Sequence, residues 1–356
     1  MINYHSVQTK QDMQDYITRL GGIASAIDET VVRAKTQATF GIRPPYFSYS
    51  GAITLSRNLV SGYPFEEGVD ESALYADAKN KITELVARSE VNKEEGQELL
   101  REVEAVLLTQ LLPSYAALII WLERDSDNVS DKANGVGTLA DGENYYNARL
   151  KNQTSVDLTA DQIHNLGLRE VTRLRALIEA LMETVGFEGD LQAFFDFVRT
   201  NARFYYPDND AGRQGYLDDS AAYLDHLNEK LPEYFSLLPK AELVVKRVES
   251  YRERDGGAQH YTAGKPDGSK PGIYYAHLSD MTSIPKSTME AIAYHEGNPG
   301  HHMQISIAQE LENIPEFRKY VYATSYTEGW GLYSELLAKE MGAYQDPYSE
   351  YGRLTT

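Results

Sequence analysis

Tyr294-His295-Glu296-Gly297-Asn298-Pro299-Gly300-His301-His302-Met303-Gln304 is the stretch that decides how this chain is read. It holds three of the eight histidines in 356 residues, with a glutamate directly after the first. Downstream stands Thr327-Glu328-Gly329-Trp330-Gly331-Leu332-Tyr333-Ser334-Glu335. Two histidines four apart on one helix share a face and bind one metal, and a glutamate after the first takes a proton from the attacking water. Here the position four after His295 is Pro299, and the next histidines come six and seven residues on. Seven residues of unbroken helix are about 10 Å of axis, too far for a shared ion. Pro299-Gly300 forbids an unbroken helix, however. A two-residue bulge there brings His301 or His302 to the second ligand position.

The spacing leaves that choice open; we take His301 as the ligand and His302 as a neighbour that supports the site or donates to substrate. Catalytic zinc wants three protein ligands and an open position, and Glu328 is the third candidate. Glu335, seven residues further along the same helix, is placed to orient a ligand histidine. Glu296 is the candidate general base, and Tyr333 or Tyr326 the candidate donor to a developing oxyanion.

Outward from this centre the pattern is mostly helical. Ser287-Thr288-Met289-Glu290 reads as a capping box opening the helix that carries His295. Before it, Leu243 to Val248 and Gly272 to Leu278 are strand-like, which predicts a small sheet beside the metal helices. Apolar residues recur at helical spacing from Gln8 to about Ala38, with Met13, Ile17 and Leu20 on one face. Tyr46 to Leu59 is expected to be a loop or short extended segment. Helices are expected from near Asp70 and from Asn92, with Pro113 breaking or restarting the second. Asn92/Glu95 and Thr159/Gln162 have capping-box spacing. The helix after Thr159 carries Ile163, Leu166, Val171, Leu174, Leu177, Ile178, Leu181 and Val185 as one stripe. These elements predict a mainly α fold, with an N-terminal helical region over 1–130 and a catalytic region over 131–356.

Composition removes several classes. A formal net charge of −19 argues against nucleic acid as partner. Without a cysteine there are neither disulfides nor thiolate ligands, so any transition metal rests on His, Asp or Glu. No run of about twenty apolar residues appears, which predicts no membrane span, and Met1 is followed by no signal-peptide pattern.

The two site motifs together, His295-Glu296-x-x-Pro299-Gly300-His301-His302-x-Gln304 and Glu328-Gly329-Trp330-x-Leu332-Tyr333-x-Glu335, resemble the bacterial domain-of-unknown-function 885 family, grouped with zincin-type metallopeptidases. Gly135 to Leu139, Ile163 to Glu170 and Pro271 to Tyr275 also match its pattern. The resemblance implies a zincin-like fold and a zinc ion held by His295, His301 and Glu328, with Glu296 as base. It places the strand around Tyr274 at the edge where a peptide lies by strand addition. It also implies that members continue past Thr356 with further helices, and that their home is periplasmic or otherwise extracytoplasmic. The expected activity is zinc-dependent hydrolysis of a peptide or small amide. The alternatives are a non-catalytic protein that keeps the fold, and a hydrolase of a non-peptide amide or ester.

Overall fold

The computed structural model describes residues 1–2, 5–132 and 134–356. The fold is mainly α, with one small sheet, and the chain divides into two compact units, Met1–Gly142 and Glu143–Thr356.

The first unit is built on α1 (Lys10–Thr39), α2 (Tyr46–Leu59), α3 (Ala73–Ala87), α4 (Lys93–Val106) and α5 (Leu112–Ser126). The periodic positions of α1 are its buried ones: Met13, Ile17 and Leu20 pack with Leu99, Val103, Leu107 and Leu111. Asn92 and Glu95 close the expected capping box at the start of α4. One expectation is corrected here. Residues 46–59 form a helix rather than a loop, because Pro45 takes the extended N-cap conformation and Tyr49 turns inward to hydrogen-bond Asp125 on α5. Pro113 restarts the helix, as expected: a π-helical turn, Leu107–Leu111, interrupts the α-helical pattern before it, and α5 resumes at Leu112 with Pro113 in its first turn. The continuous helix over 93–126 is long and apolar enough to cross a membrane by length and composition alone, although Leu99, Val103, Leu107 and Leu111 belong to the core.

The second unit contains α6 (Gly142–Thr154), α7 (Ala160–Thr184), α8 (Leu191–Thr200), α9 (Asp210–Asn228) and α10 (Leu231–Tyr234). Then come β1 (Leu243–Arg247), β2 (His260–Thr262) and β3 (Gly272–Ala276), followed by α11 (Lys286–Glu296), α12 (His301–Glu310), α13 (Thr324–Glu340) and α14 (Pro347–Thr355). Of the stripe along α7, Ile178 is buried with Met182 against α8 and α14, whereas Leu166, Val171 and Leu177 are exposed.

The sheet order is β1-β3-β2, with β1 parallel and β2 antiparallel to β3. All five residues of β3 are buried, with Tyr274 and Ala276 in core clusters and Ile273 and Tyr275 packed with Val248. The strand around Tyr274 is therefore the centre of the sheet and offers no free edge; the edges are β1 and β2. Tyr274 joins Leu224, Ala291, Tyr294, Met303 and Leu337 in one core, which fixes α9, α11, α12 and α13 around the sheet.

Candidate metal centre

The helix bearing the first histidine starts without a side-chain cap. Pro285 is its N-cap residue, so Ser287 lies inside the helix, and Glu290 is drawn instead to the Tyr344 backbone N–H at 2.8 Å and the Tyr294 hydroxyl at 3.0 Å. The capping-box reading is overturned by that competing pair of donors. The helix then stops at Glu296. Gly297-Asn298-Pro299-Gly300 forms a four-residue turn, and α12 begins at His301. The Gly300 N–H reaches back to the Tyr294 carbonyl at 3.0 Å, and a Cβ on Gly300 would lie 2.0 Å from the His295 carbonyl oxygen. Only glycine allows so tight a return.

This turn brings the His295 and His301 rings together, centroids 4.6 Å apart and edge to face. Glu328, from the second turn of α13, lies across from both, with its Oε2 3.5 Å from His295 Nε2 and 3.6 Å from His301 Nε2. The three side chains offer ligand atoms all within 4.8 Å of one another. Tetrahedral bonds of about 2.0–2.2 Å put neighbouring ligand atoms about 3.4 Å apart, so two of the three edges already have the length a zinc ion needs. Two imidazoles and one carboxylate are also the donor set of a catalytic zinc site. The residues fit the ion.

Glu335 stands behind His295. It is 2 % exposed, and its Oε1 accepts the His295 Nδ1–H at 2.8 Å, which leaves the Nε2 lone pair aimed at the centre. The turn between α11 and α12 is pinned from the same helix: the Trp330 indole N–H donates to the Pro299 carbonyl at 2.8 Å. Gly331 lets α13 come close, since a Cβ there would lie 2.6 Å from the His295 ring. His301 Nδ1 is buried with no partner among the described residues.

Burial pushes Glu296 up to about 7, with the Glu328 carboxylate adding to the rise and His295 opposing it; the Tyr261 backbone N–H also favours its charged form. For His295, burial lowers the pKa, but the Glu335, Glu296 and Glu328 carboxylates outweigh it and the net shift is upward. His301 is pushed down to about 4 by burial and by His295.

The remaining candidates stand elsewhere. His302 is 1 % exposed; its Nδ1 meets the Tyr261 hydroxyl at 3.0 Å and its Nε2 donates to the Ala241 carbonyl at 3.1 Å. It braces β2 against the approach to β1, and both ring nitrogens are engaged away from the trio. Tyr333 is five residues beyond Glu328, about 140° round the helix, and lies 47 % exposed against Trp330. Tyr326 is exposed, and its carbonyl accepts from Gln304. The phenol that does meet the trio is Tyr322, whose O–H donates to Glu328 Oε1 at 2.6 Å. Nothing in the sequence singled it out, because it lies in an irregular segment before α13.

The comparisons agree with this architecture. A family described as a bacterial protein of unknown function (DUF885) matches residues 1–356. Two solved structures resemble the chain. A "putative lipoprotein" from Colwellia psychrerythraea is 28 % identical with a TM-score of 0.90, over 99 % of this chain and 59 % of its own. A "putative lipoprotein of unknown function" from Shewanella oneidensis is 14 % identical with a TM-score of 0.57, over 99 % and 61 %, and shares the fold. The chain thus spans about three fifths of the length of these neighbours. No curated protein matches. The chain belongs to the DUF885 family.

Proposed function

We propose that this member of the DUF885 family is a zinc-dependent hydrolase of zincin-like type that cleaves a peptide or related amide bond. The convergence of His295, His301 and Glu328, with Glu335 fixing the tautomer of the first, carries the reading. Zinc held there would supply Lewis acidity for the carbonyl and lower the pKa of the attacking water. Glu296, next to His295 and raised by burial, is the group to take the proton of that water and pass it to the departing amine. Tyr322, already bonded to Glu328, is the phenol within reach of the reacting carbonyl oxygen. Because β3 is paired on both sides, an extended peptide would run along β2, whose Tyr261 N–H faces Glu296. The neighbours named as lipoproteins support an extracytoplasmic home.

Elemental analysis tests the centre. We expect about one zinc per chain, lost in His295→Ala and kept in Glu296→Gln, which would lose hydrolysis of a peptide library. A chain that takes up no zinc on addition overturns the reading. Iron in its place would overturn the hydrolase, because two histidines and a carboxylate also suit iron(II).

A further inference from the structure

A cleft of about 710 Å³, within the size range of small-molecule sites, is lined by residues next to the trio's own on α12 and α13. Gln304, Ile305 and Ala308 of α12 line one side, within two turns of His301. The segment 314–323, which includes a short 3-10 helix (Glu316–Tyr320), lines another, and Tyr322 near its end bonds Glu328 through its phenol. Tyr322 thus lines the cleft and bonds a carboxylate of the candidate centre, which puts the two next to each other.

Its chemistry is unlike that of the chain as a whole. Most lining side chains are apolar, Leu311, Ile314, Phe317 and Val321 among them, and Phe317 is 70 % exposed. The charged side chains that line it are Arg318 and Lys319, with no carboxylate, in a chain of 53 acidic and 34 basic residues. Lys319 pairs with Glu316 at 3.1 Å, whereas no carboxylate pairs with Arg318 among the described residues. The exposed Arg318 guanidinium, without a carboxylate partner among the described residues, can pair with one carboxylate on a ligand whose apolar part fills the cleft. An aspartate or glutamate side chain supplies the charge without the apolar bulk. The residue of a peptide that combines a bulky apolar side chain with a carboxylate is the last one.

We propose that this cleft holds the C-terminal residue of a peptide, an aromatic or large aliphatic side chain against Ile305 and Val321 with its free carboxylate on Arg318, so that the bond cleaved is the last one. The chemistry of cleavage rests on the hydrolase reading; the binding preference does not. In the reaction water adds to the carbonyl carbon and the C–N bond breaks. One proton of the water passes by way of Glu296 to the departing amine, and a free apolar amino acid leaves beside a shortened peptide acid.

The test uses dansyl-Gly-Phe with a free carboxylate, its amide, and dansyl-Gly-Gly, titrated by fluorescence anisotropy against the full chain, zinc-free and zinc-loaded. We expect the free acid to bind at least tenfold more tightly than the amide and than the glycine analogue, in both forms. Arg318→Ala should abolish the acid-over-amide preference alone, and Ala308→Trp, which fills the cleft, the phenylalanine-over-glycine preference alone. Circular dichroism checks that both variants fold. Equal binding of acid and amide, or no binding of any probe, overturns the proposal. Preferential binding without hydrolysis by the zinc-loaded chain leaves the cleft standing and removes the hydrolase. Hydrolysis of internal bonds without terminal preference does the reverse.

Discussion

Two clusters, one in each unit, hold carboxylates in opposite ways. In the first, Asp125 is 7 % exposed and fully matched: the Arg43 guanidinium reaches its oxygens at 3.1 Å and the Tyr49 hydroxyl donates at 2.7 Å. In the second, the buried Glu296 and Glu335 and the half-exposed Glu328 gather around two imidazoles, and among the described residues no lysine or arginine forms an ion pair with any of them. A buried charge is stable when a partner of opposite sign sits against it. The Asp125 cluster brings its own cation and is closed. The glutamate cluster has only imidazoles that must take up a proton to balance it, and a cation from outside the chain would balance it without one.

That contrast predicts where zinc acts. Each unit carries one of the two tryptophans, Trp121 in the first and Trp330 in the second, so fluorescence of Trp121→Phe and Trp330→Phe chains reports the units separately. Zinc at a thousandfold excess over its dissociation constant should stabilise the second unit by about 4 kcal/mol, and a chelator should reverse it. The Trp121 transition should not move. A shift of both, or of neither, breaks the contrast.

The closed cluster gives the next largest effect. Asp125→Ala leaves Arg43 and Tyr49 without their acceptor and should cost the first unit about 3 kcal/mol in chemical denaturation, with zinc uptake unchanged. For Asp125 itself, burial raises the pKa, but the hydrogen bonds from Arg43 and Tyr49 outweigh it, and the folded value lies below the ordinary 3.8. A carboxyl with a depressed folded pKa contributes stability above its unfolded value and loses it as the pH falls through the folded one. The first unit should therefore lose this contribution below about pH 4 in acid titration, and Asp125→Ala should flatten that arm.

Glu335→Gln separates orientation from charge. The amide oxygen still accepts the His295 Nδ1–H, but the ring loses the carboxylate that makes its Nε2 a better donor to metal. Zinc affinity, measured by competition with a chelating dye, should fall about 10- to 100-fold while the fold persists. An unchanged affinity would make Glu335 a packing residue.

The two clusters were not equally legible. Helices such as α1 and α4 could be read because burial follows the 3.6-residue period, and the cap at Asn92 is a local interaction that spacing encodes. The trio could be read because its members lie in two short motifs. The choice between His301 and His302 could not, since it depends on the hand of a four-residue turn and on Tyr261 and Ala241, 41 and 61 residues away, which claim the second ring. Tyr322 and β2 were invisible for a related reason: three residues of strand and a lone tyrosine have no period. The helix 46–59 was missed because its stability comes from Tyr49 meeting Asp125, 76 residues on. Misreadings fell where a distant partner decides a local structure.

The smallest predicted effect is the sharpest test of how α13 serves the centre. Glu328, Gly331 and Glu335 lie within about 60° of one another round that helix, and Trp330 reaches past them to pin Pro299 in the turn that delivers His301. Trp330→Phe keeps a flat ring in place and removes one hydrogen bond, worth about 1 kcal/mol, so zinc affinity should fall about fivefold. Tyr333→Phe removes a hydroxyl that the helix turns away from the trio, and it should leave zinc affinity and turnover as they were. If Tyr333→Phe slows turnover and Trp330→Phe does nothing, α13 presents its other face to substrate. The turn of Gly297 to Gly300 would then hold its shape through its own backbone bonds alone.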